Sequence, residues 1–302
     1  HEKFSPEAKA DVEKKVATMI DVYKERLAKN DWLTPETRDK AIVKLNVIKP
    51  YIGYPEELPA RYKDKVVDET ASLFENALAF ARVEIKHSWS KWNQPVDYKE
   101  WGMPAHMVNA YYNPQKNLIV FPAAILQAPF YDLHQSSSAN YGGIGAVIAH
   151  EISHAFDTNG ASFDENGSLK DWWTENDYAA FKEKTQKVID QFDGQESYGA
   201  RINGKLTVSE NVADLGGIAA ALEAAKREAD FSAEEFFHNF ARIWRMKGRP
   251  ELMKLMASVD VHAPAKLRVN VQVPNFDDFF TTYDVKEGDG MWRSPEDRVI
   301  IW

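Results

Sequence analysis

The segment His150-Glu151-Ile152-Ser153-His154 constrains the fold of this chain more than any other feature. Its two imidazoles are four residues apart, just over one helical turn, so on a helix both rings project from the same side. Two rings placed in this way can bind one tetrahedral Zn²⁺ ion together. Glu151 lies between them and would face the open coordination position of the metal. The segment therefore predicts a helix that carries part of a metal site.

Apolar residues around the segment support the helix. They recur at spacings of three and four, which gives a helix one apolar face. Gly142-Gly143 precedes the run, and Asp157-Thr158-Asn159-Gly160 follows it, so both limits of the helix are marked. The alternative is a pair of surface histidines on an amphipathic helix, and a third ligand would distinguish the two. The apolar positions are Ile144, Val147, Ile148, Ile152, Ala155 and Phe156.

Two kinds of third ligand can be tested on the sequence. In one, the motif continues with a glycine and then a histidine, but Asp157 and Gly160 occupy those positions. In the other, a carboxylate comes from a later helix, and the candidate is Glu210, 56 residues (210 − 154) after His154. Asp214 lies four residues further on, where it could accept the second ring N–H of a ligating histidine. The alternative is a solvated acidic first turn of a helix.

Residues 107–112 and 118–121 read as two short strands joined by a turn. An edge strand beside the metal can pair with an extended peptide through main-chain hydrogen bonds, which recognises a backbone without reading much side-chain sequence. Asn109 lies on the first of these strands. The alternative is an ordinary hairpin whose tyrosines pack on the core.

Composition fits a globular protein that binds neither nucleic acid nor anionic membranes. The 302 residues carry a formal net charge of −9, and acidic and basic residues are mixed rather than arranged in blocks. A hydrophobic content of 44% is enough for one large core or two modest ones. No apolar run approaches the length that spans a bilayer.

The rest of the chain predicts mostly helix. Most of the predicted helices open on a capping residue or on a proline in the first turn. Internal repeats, low-complexity tracts and flexible linkers are absent, so the sequence predicts one α+β domain that is predominantly α, with a small sheet. The predicted helices span about residues 5–29, 34–48, 68–88, 174–192, 210–228, 232–247 and 250–258.

Several separated motifs occur in an order that resembles the neprilysin-like zinc metallopeptidases, in particular their bacterial oligopeptidase O members. The resemblance runs from near residue 10 to the last residue. Ordered agreement of this kind is far more specific than any single motif. The motifs are Asn109-Ala110-Tyr111-Tyr112, the segment Val147 to Asp157, Asp171-Trp172-Trp173, the segment Glu210 to Asp214, Val261-His262, and Arg268.

The resemblance implies a zinc site with one Zn²⁺ ion per chain. His150, His154 and Glu210 are similar to the three zinc ligands of the family. Glu151 is similar to the general base that acts on the water at the zinc. His262 is similar to the histidine that stabilises the oxyanion of the tetrahedral intermediate, although by itself it reads as a partly exposed histidine in a proline-containing loop.

The resemblance also implies roles for residues around the ligands. Asp214 is similar to the carboxylate that orients the first zinc histidine, and Asp157 resembles a partner that holds Arg268. Arg268 is similar to the arginine that binds the substrate carbonyl on the leaving-group side. The alternative for Arg268 is a surface ion pair, which contributes little.

Four further positions are similar to substrate-binding residues of the family. Asn109 and Ala110 match the pair that grips the peptide backbone. Val147 and Trp244 fall where the family lines its main specificity pocket, which favours a bulky apolar side chain just after the cleaved bond. The resemblance therefore implies small peptides as substrates.

The implied fold is the zincin fold, a thermolysin-like catalytic domain in which an edge strand packs on the active-site helix. Family members are much longer than this chain and carry a mostly helical domain before this region, which caps the active site. Residues 1–302 are therefore expected to be the C-terminal catalytic portion, and the missing N-terminal half is an expected partner. Extracellular animal relatives contain disulfides, so the absence of cysteine favours a bacterial protein, with the cytoplasm favoured over the cell surface or secretion.

Two functions are compatible with these residues. The first is an active zinc metalloendopeptidase that cleaves small peptides. The second is a fragment that binds zinc but is catalytically unproductive without the missing N-terminal half.

Overall fold

The computed structural model describes residues 4–302, which divide into two compact units. The main unit comprises the described residues up to Gly53 together with His106–Trp302. The inserted unit comprises Tyr54–Ala105. Every residue to which the sequence assigned a role at the site belongs to the main unit.

Helices make up most of the regular structure of the described residues, as predicted, and the strands are few and short. The helices are α1 (Pro6–Lys29), α2 (Pro35–Asn46), α3 (Leu73–Ser90), α4 (Ser137–Asn140), α5 (Ala146–Ser153), α6 (Glu175–Phe192), α7 (Gly204–Ala225), α8 (Ala233–Ile243), α9 (Pro250–Val259), α10 (Ala265–Asn270) and α11 (Asp277–Tyr283). The strands are β1 (Lys49–Gly53), β2 (Tyr111–Asn113), β3 (Leu118–Pro122), β4 (Glu196–Ser197) and β5 (Ala200–Arg201).

The predicted capping residues begin several of these helices. Ser5 Oγ accepts a hydrogen bond from Ala8 N–H at 3.2 Å at the start of α1, and Thr174 and Ser232 cap α6 and α8 in the same way. The ends are less well predicted. Helix α8 is shorter than expected because Trp244 already leaves the helical conformation, with φ −89° and ψ 3°.

The predicted hairpin is part of a three-stranded sheet with the order β1-β3-β2. Strand β3 is central, parallel to β1 and antiparallel to β2, and all five of its residues are buried. A continuous apolar run such as Leu118–Pro122 suits a strand that is covered on both faces. Strand β2 is shorter than predicted and lies at the edge of the sheet.

The helix that carries the motif histidines packs closely on α7. Helix α4, a π-helical turn at Tyr141–Gly145 and α5 follow one another without interruption. A Cβ at Gly217 of α7 would lie 2.9 Å from both Ala146 O and His150 N, so only glycine permits this approach of the two backbones. Glu210 is seven residues before Gly217, about two helical turns, so both lie on the face that α7 turns toward α5.

The inserted unit is organised around α3. A reciprocal capping box between Ser72 and Glu75 starts this helix, later than predicted. At its other end, Glu100 accepts hydrogen bonds from Lys91 and Arg61 and lies 3.0 Å from His87 Nε2. None of the residues of α3 is buried. Within residues 4–302, no helix combines the length and the apolar character that crossing a membrane would require.

Candidate metal centre

The two motif histidines lie at the C-terminal end of α5. His150 is on its last turn, and His154 follows its last residue with helical dihedral angles of φ −58° and ψ −18°. Their Nε2 atoms are 3.0 Å apart, and the ring planes meet at 87°. The spacing of four residues thus brings both rings to one point, as the helix geometry predicts.

Glu210 joins this pair from α7. Its Oε2 atom is 3.3 Å from His150 Nε2 and 3.5 Å from His154 Nε2. The same oxygen is buried without a hydrogen-bond partner. Because α7 begins at Gly204, Glu210 lies in its second turn, and the interpretation as a solvated acidic first turn is wrong.

The electrostatics of Glu210 suit a cation. Burial alone raises the pKa of this carboxyl group, but the close imidazole rings of His150, His154 and His262 outweigh burial and hold its pKa far below the ordinary value. The group is therefore an ionised carboxylate in a buried position, which is the form that binds a metal.

The three donor atoms fit a zinc ion. Together, His150, His154 and Glu210 form a group that could hold a metal. Zinc bonds of about 2.0–2.2 Å at a tetrahedral angle separate two ligand atoms by about 3.3–3.6 Å, and the observed separations are 3.0, 3.3 and 3.5 Å. Two imidazoles with one carboxylate are also a donor set of catalytic zinc sites that keep a fourth position open.

Each histidine is oriented by a carboxylate on its other ring nitrogen. His150 Nδ1 is 2.8 Å from Asp214 Oδ1, and His154 Nδ1 is 2.6 Å from Asp157 Oδ2. An ionised carboxylate only accepts hydrogen bonds, so both Nδ1 atoms carry the proton and both Nε2 lone pairs are free for the metal. This arrangement fixes the tautomer and ring orientation of a zinc ligand.

The expected contact between Asp157 and Arg268 is wrong. Arg268 instead donates two hydrogen bonds to Asp214, from Nε at 2.7 Å and Nη2 at 2.6 Å. Asp157 is three residues after His154 and accepts hydrogen bonds from Gly160 N–H of its own turn and from Ser209 Oγ of α7, both at 2.6 Å. The short side chain of Asp157 therefore contacts His154. Arg268 is buried against Asp214 instead.

Asp214 therefore contacts both His150 and Arg268. Burial raises the pKa of Asp214, but the guanidinium of Arg268 and the ring of His150 outweigh it and lower the pKa to about 2. The carboxylate stays ionised and holds both partners. Arg268 also packs over the indole of Trp244 at 3.8 Å from the ring centroid, so the alternative of a surface ion pair is wrong for this arginine.

Glu151 is buried beside the ligands, with 6% of its surface exposed. Burial raises the pKa of this carboxyl group, and the neighbouring charges of His150 and His154 act in the opposite direction. A raised pKa makes a carboxylate a stronger base, which suits a group that takes up a proton and later releases it.

His262 approaches the same group from the loop between α9 and α10. Its Nε2 is 3.2 Å from Glu210 Oε2, and its Nδ1 is 2.9 Å from Asp260 Oδ1. The side chain is 46% exposed, so the ring borders the metal group and also faces solvent. Asp260 and Ser209 were missed in the sequence, although each is within two residues of a predicted site residue.

The predicted substrate-binding residues are spread around this centre. Asn109 is exposed and Ala110 is buried, and both immediately precede the edge strand β2. Val147 is half-buried on α5, one turn before His150. Trp244 lines a cleft of about 310 Å³ together with Tyr198, Met246, Ala265 and Val269. The pairing of Val147 with Trp244 in one specificity pocket stays a prediction.

The chain matches one peptidase family over most of its length. Residues 1–55 and 109–299 match the two sequence profiles of peptidase family M13. It is 55% identical over 299 residues to a neutral endopeptidase of Lactococcus lactis, covering 99% of this chain and 48% of the relative. It is also 86% identical over 235 residues to a putative zinc metalloproteinase of Streptococcus gordonii, covering 78% of this chain and 42% of the relative.

Solved structures show the same relationship. The crystal structure of PEPO from Lactobacillus rhamnosis matches with a TM-score of 0.94 and 43% identity, over 99% of this chain and 48% of that one. A zinc metalloprotease from Mycobacterium tuberculosis, solved with an inhibitor, matches with a TM-score of 0.93 and 37% identity, over 98% and 47% of the two chains. These likenesses confirm the predicted zincin fold. The chain spans about half the length of the relatives that it matches.

Proposed function

The chain belongs to peptidase family M13, and from this membership we propose that residues 1–302 are the C-terminal catalytic portion of a zinc metalloendopeptidase that cleaves small peptides. One observation carries the proposal. Two imidazole nitrogens and a buried, ionised carboxylate oxygen converge within 3.5 Å of one another. A donor set of this kind holds one zinc ion and leaves a position open for chemistry.

Glu151 is the proposed general base. His150, His154 and Glu210 would hold the zinc ion, which when bound would act as a Lewis acid that polarises a substrate carbonyl and lowers the pKa of water toward 7. Glu151 takes the proton of the attacking water and delivers it to the leaving nitrogen, a task for which a carboxyl group of raised pKa is suited.

His262 is the proposed donor to the oxyanion that develops on the scissile carbonyl. Asp260 holds its Nδ1, which directs Nε2 toward the metal group. A positioned donor of this kind stabilises charge that forms only in the transition state. Arg268 is the proposed partner of a substrate carbonyl on the leaving-group side, and its two bonds to Asp214 and its packing on Trp244 fix the guanidinium in place.

The edge strand β2 is the proposed docking site for the substrate backbone. Strand β2 is an edge strand that pairs with β3 on one side, and an extended peptide is proposed to add to its other side. Asn109 and Ala110, at the start of β2, are proposed to bind the peptide main chain. Val147 and Trp244 are proposed to receive a bulky apolar side chain just after the cleaved bond.

A helix stripe in the inserted unit is the proposed docking site for the rest of the parent protein. Phe74, Leu78, Ile85 and Trp89 are spaced by four, seven and four residues, so they form one apolar stripe along α3, hereafter the α3 stripe. Their surfaces are 41% to 74% exposed. Four large apolar side chains in one exposed row mark an interaction surface. The matched relatives are about twice as long as this chain, which supports their remaining half as the occupant.

The same stripe supports a second candidate function. If α3 and its surroundings need the other half of the parent for correct packing, the 302-residue chain alone binds zinc without productive turnover.

Hydrolysis of a short internally quenched peptide tests the first candidate. We expect the purified chain to cleave the peptide, a chelator to stop cleavage, and added zinc to restore it. Stoichiometric zinc without hydrolysis, followed by turnover when the separately purified N-terminal half is added, would favour the second candidate. A chain that binds no zinc would contradict both.

A further inference from the structure

The ammonium group of Lys44 on α2 is buried against the segment that directly follows the metal ligand His154. Only 1% of the residue is exposed. Its Nζ donates to three backbone carbonyls, those of Ala155 at 2.8 Å, Gly160 at 2.9 Å and Phe163 at 2.6 Å. A lysine ammonium has three N–H donors, so this set of acceptors satisfies it completely.

Burial of the Lys44 ammonium among aromatic rings has a free-energy cost. The rings of Tyr112, Phe156 and Trp172 surround Nζ at 5.5–5.9 Å, and burial lowers the pKa of Lys44 to about 7. A buried charge is retained in a protein only where several well-placed groups bind it. The three carbonyls therefore have to stay in position around the ammonium.

Those carbonyls belong to the turn that orients a zinc ligand. Ala155 directly follows His154. At the other end of the turn, the N–H of Gly160 donates to Asp157 Oδ1 at 2.6 Å, while Asp157 Oδ2 accepts from His154 Nδ1. Lys44 thus binds the turn on both sides of Asp157.

We propose that Lys44 is a positioning residue for the zinc site, because its ammonium holds residues 155–163 in the geometry that lets Asp157 orient His154. Removal of the ammonium frees three carbonyls, that of Ala155 before Asp157 and those of Gly160 and Phe163 after it. The carboxylate then samples other orientations, and His154 loses its fixed tautomer and direction. This inference rests on the proposed function only in that the site binds zinc.

A purely structural role for Lys44 makes a different prediction. A buried cation that only stabilises the fold would lower the melting temperature and leave the zinc affinity of the folded protein unchanged. Lys15 offers a matched control, since it is also buried, at 7% exposure, pairs with Asp11 and lies 5.2 Å from the ring of Tyr141. None of these contacts involves the turn at 155–163.

The test is the zinc dissociation constant of the 302-residue chain, measured by competition with a chromogenic chelator. Groups that orient zinc ligands typically contribute 10- to 100-fold in metal affinity, so we expect Lys44→Met to weaken zinc binding about tenfold. Lys15→Met should remain within about twofold of wild type, since it leaves every ligand-orienting group in place. The visible spectrum of the Co²⁺-loaded chain should change with Lys44→Met and stay the same with Lys15→Met.

Chemical rescue keeps the test decisive if Lys44→Met folds poorly. The chain has no cysteine, so the thiol of a Lys44→Cys variant can be alkylated selectively with 2-bromoethylamine before refolding. This restores an ammonium of nearly the same reach. We expect tight zinc binding after aminoethylation and weaker binding after carbamidomethylation of the same variant. Equal zinc affinity in the two products, or in folded Lys44→Met and wild type, would overturn the proposal. A wild-type chain without zinc affinity would overturn the zinc assignment as well.

Discussion

Helices α7 and α3 have similar lengths but opposite relations to their surroundings. In α7, 16 of 22 residues are buried, and most of those are alanine, glycine or other small residues. In α3, none of 18 residues is buried, although the helix carries Phe74, Leu78, Ile85 and Trp89. The small residues of α7 allow close backbone packing, while the large apolar residues of α3 remain exposed.

The difference separates the two tasks that we assign to the chain. Around α7, His150 and Arg268 contact Asp214, and His154 contacts Asp157, all at 2.6–2.8 Å, so the side chains of the metal site are in place before any ligand binds. Around α3, apolar surface is exposed and is suited to binding another polypeptide. We therefore expect peptide hydrolysis to depend on α7 and assembly with the rest of the parent protein to depend on α3.

The largest expected effect is at Glu151. Glu151→Gln keeps the size of the side chain but removes the group that accepts the proton, so we expect kcat/KM to fall by about 10²- to 10⁴-fold. Zinc content should be unchanged, because Glu151 is not one of the three ligand residues. The measurement combines peptide hydrolysis with metal analysis. Glu84→Gln in the inserted unit is the control, since Glu84 pairs with Arg61 and Lys65 of the same unit, and its activity should match wild type. Full activity of Glu151→Gln would show that Glu151 is not the general base.

The next largest expected effect is a loss of stability when the packing between α5 and α7 is disturbed. In Gly217→Ala, the new methyl group would lie 2.9 Å from Ala146 O and His150 N, so one backbone has to move. We expect the free energy of unfolding to fall by about 1–3 kcal/mol in urea denaturation. Ala79→Val on α3 is the control, with a change of less than about 0.7 kcal/mol at an exposed helix position. Equal stability of both variants would contradict the close approach of the two helices.

The α3 stripe should matter for assembly and not for folding. The double variant Phe74→Ser and Trp89→Ser should keep the melting temperature of the chain and weaken its binding to the purified N-terminal half by at least about tenfold, since large aromatic anchors dominate interfaces. Binding is measured by isothermal titration calorimetry. Lys86→Ser, off the stripe on the same helix, should bind like wild type. Undiminished binding of the double variant would place the interface elsewhere.

The smallest expected effect is a pH dependence of the inserted unit. Burial raises the pKa of Glu100, but Lys91, His87 and Arg61 outweigh it and lower the pKa from 4.5 to about 2. A folded pKa below the unfolded one means that ionised Glu100 stabilises the unit above about pH 5, and that this contribution is lost as the pH falls toward 2. Amide hydrogen exchange of α3 should therefore lose protection between pH 5 and pH 3. In Glu100→Gln this pH dependence should be weaker than in wild type, and an equal slope would argue against the assignment.

Local patterns predicted part of this structure. Glu210 could be predicted because a carboxylate in a helical segment was the remaining ligand type once Asp157 and Gly160 excluded a third histidine. The caps at Ser5 and Thr174 could be predicted because they depend on neighbours within three residues. The start of α7 could not, because Asn203 and the turn before it hold that end through contacts that carry no periodic signal.

Contacts that depend on tertiary packing were missed or misassigned. Asp157 was assigned to Arg268, but its own turn directs it to His154, and only the fold decides between the two. Lys44 was missed because its partners are backbone carbonyls, which every residue possesses. The exposure of α3 could not be predicted from the sequence, because a helix that packs on a core shows the same apolar stripe.

X-ray absorption at the zinc edge of the zinc-loaded chain tests the central claim most directly, namely that His150, His154 and Glu210 meet at one ion. We expect one zinc per chain, with two imidazole nitrogens and carboxylate oxygen at about 2.0–2.2 Å, and a lost oxygen contribution in Glu210→Ala. A spectrum without imidazole scattering, or one that Glu210→Ala leaves unchanged, would contradict the account.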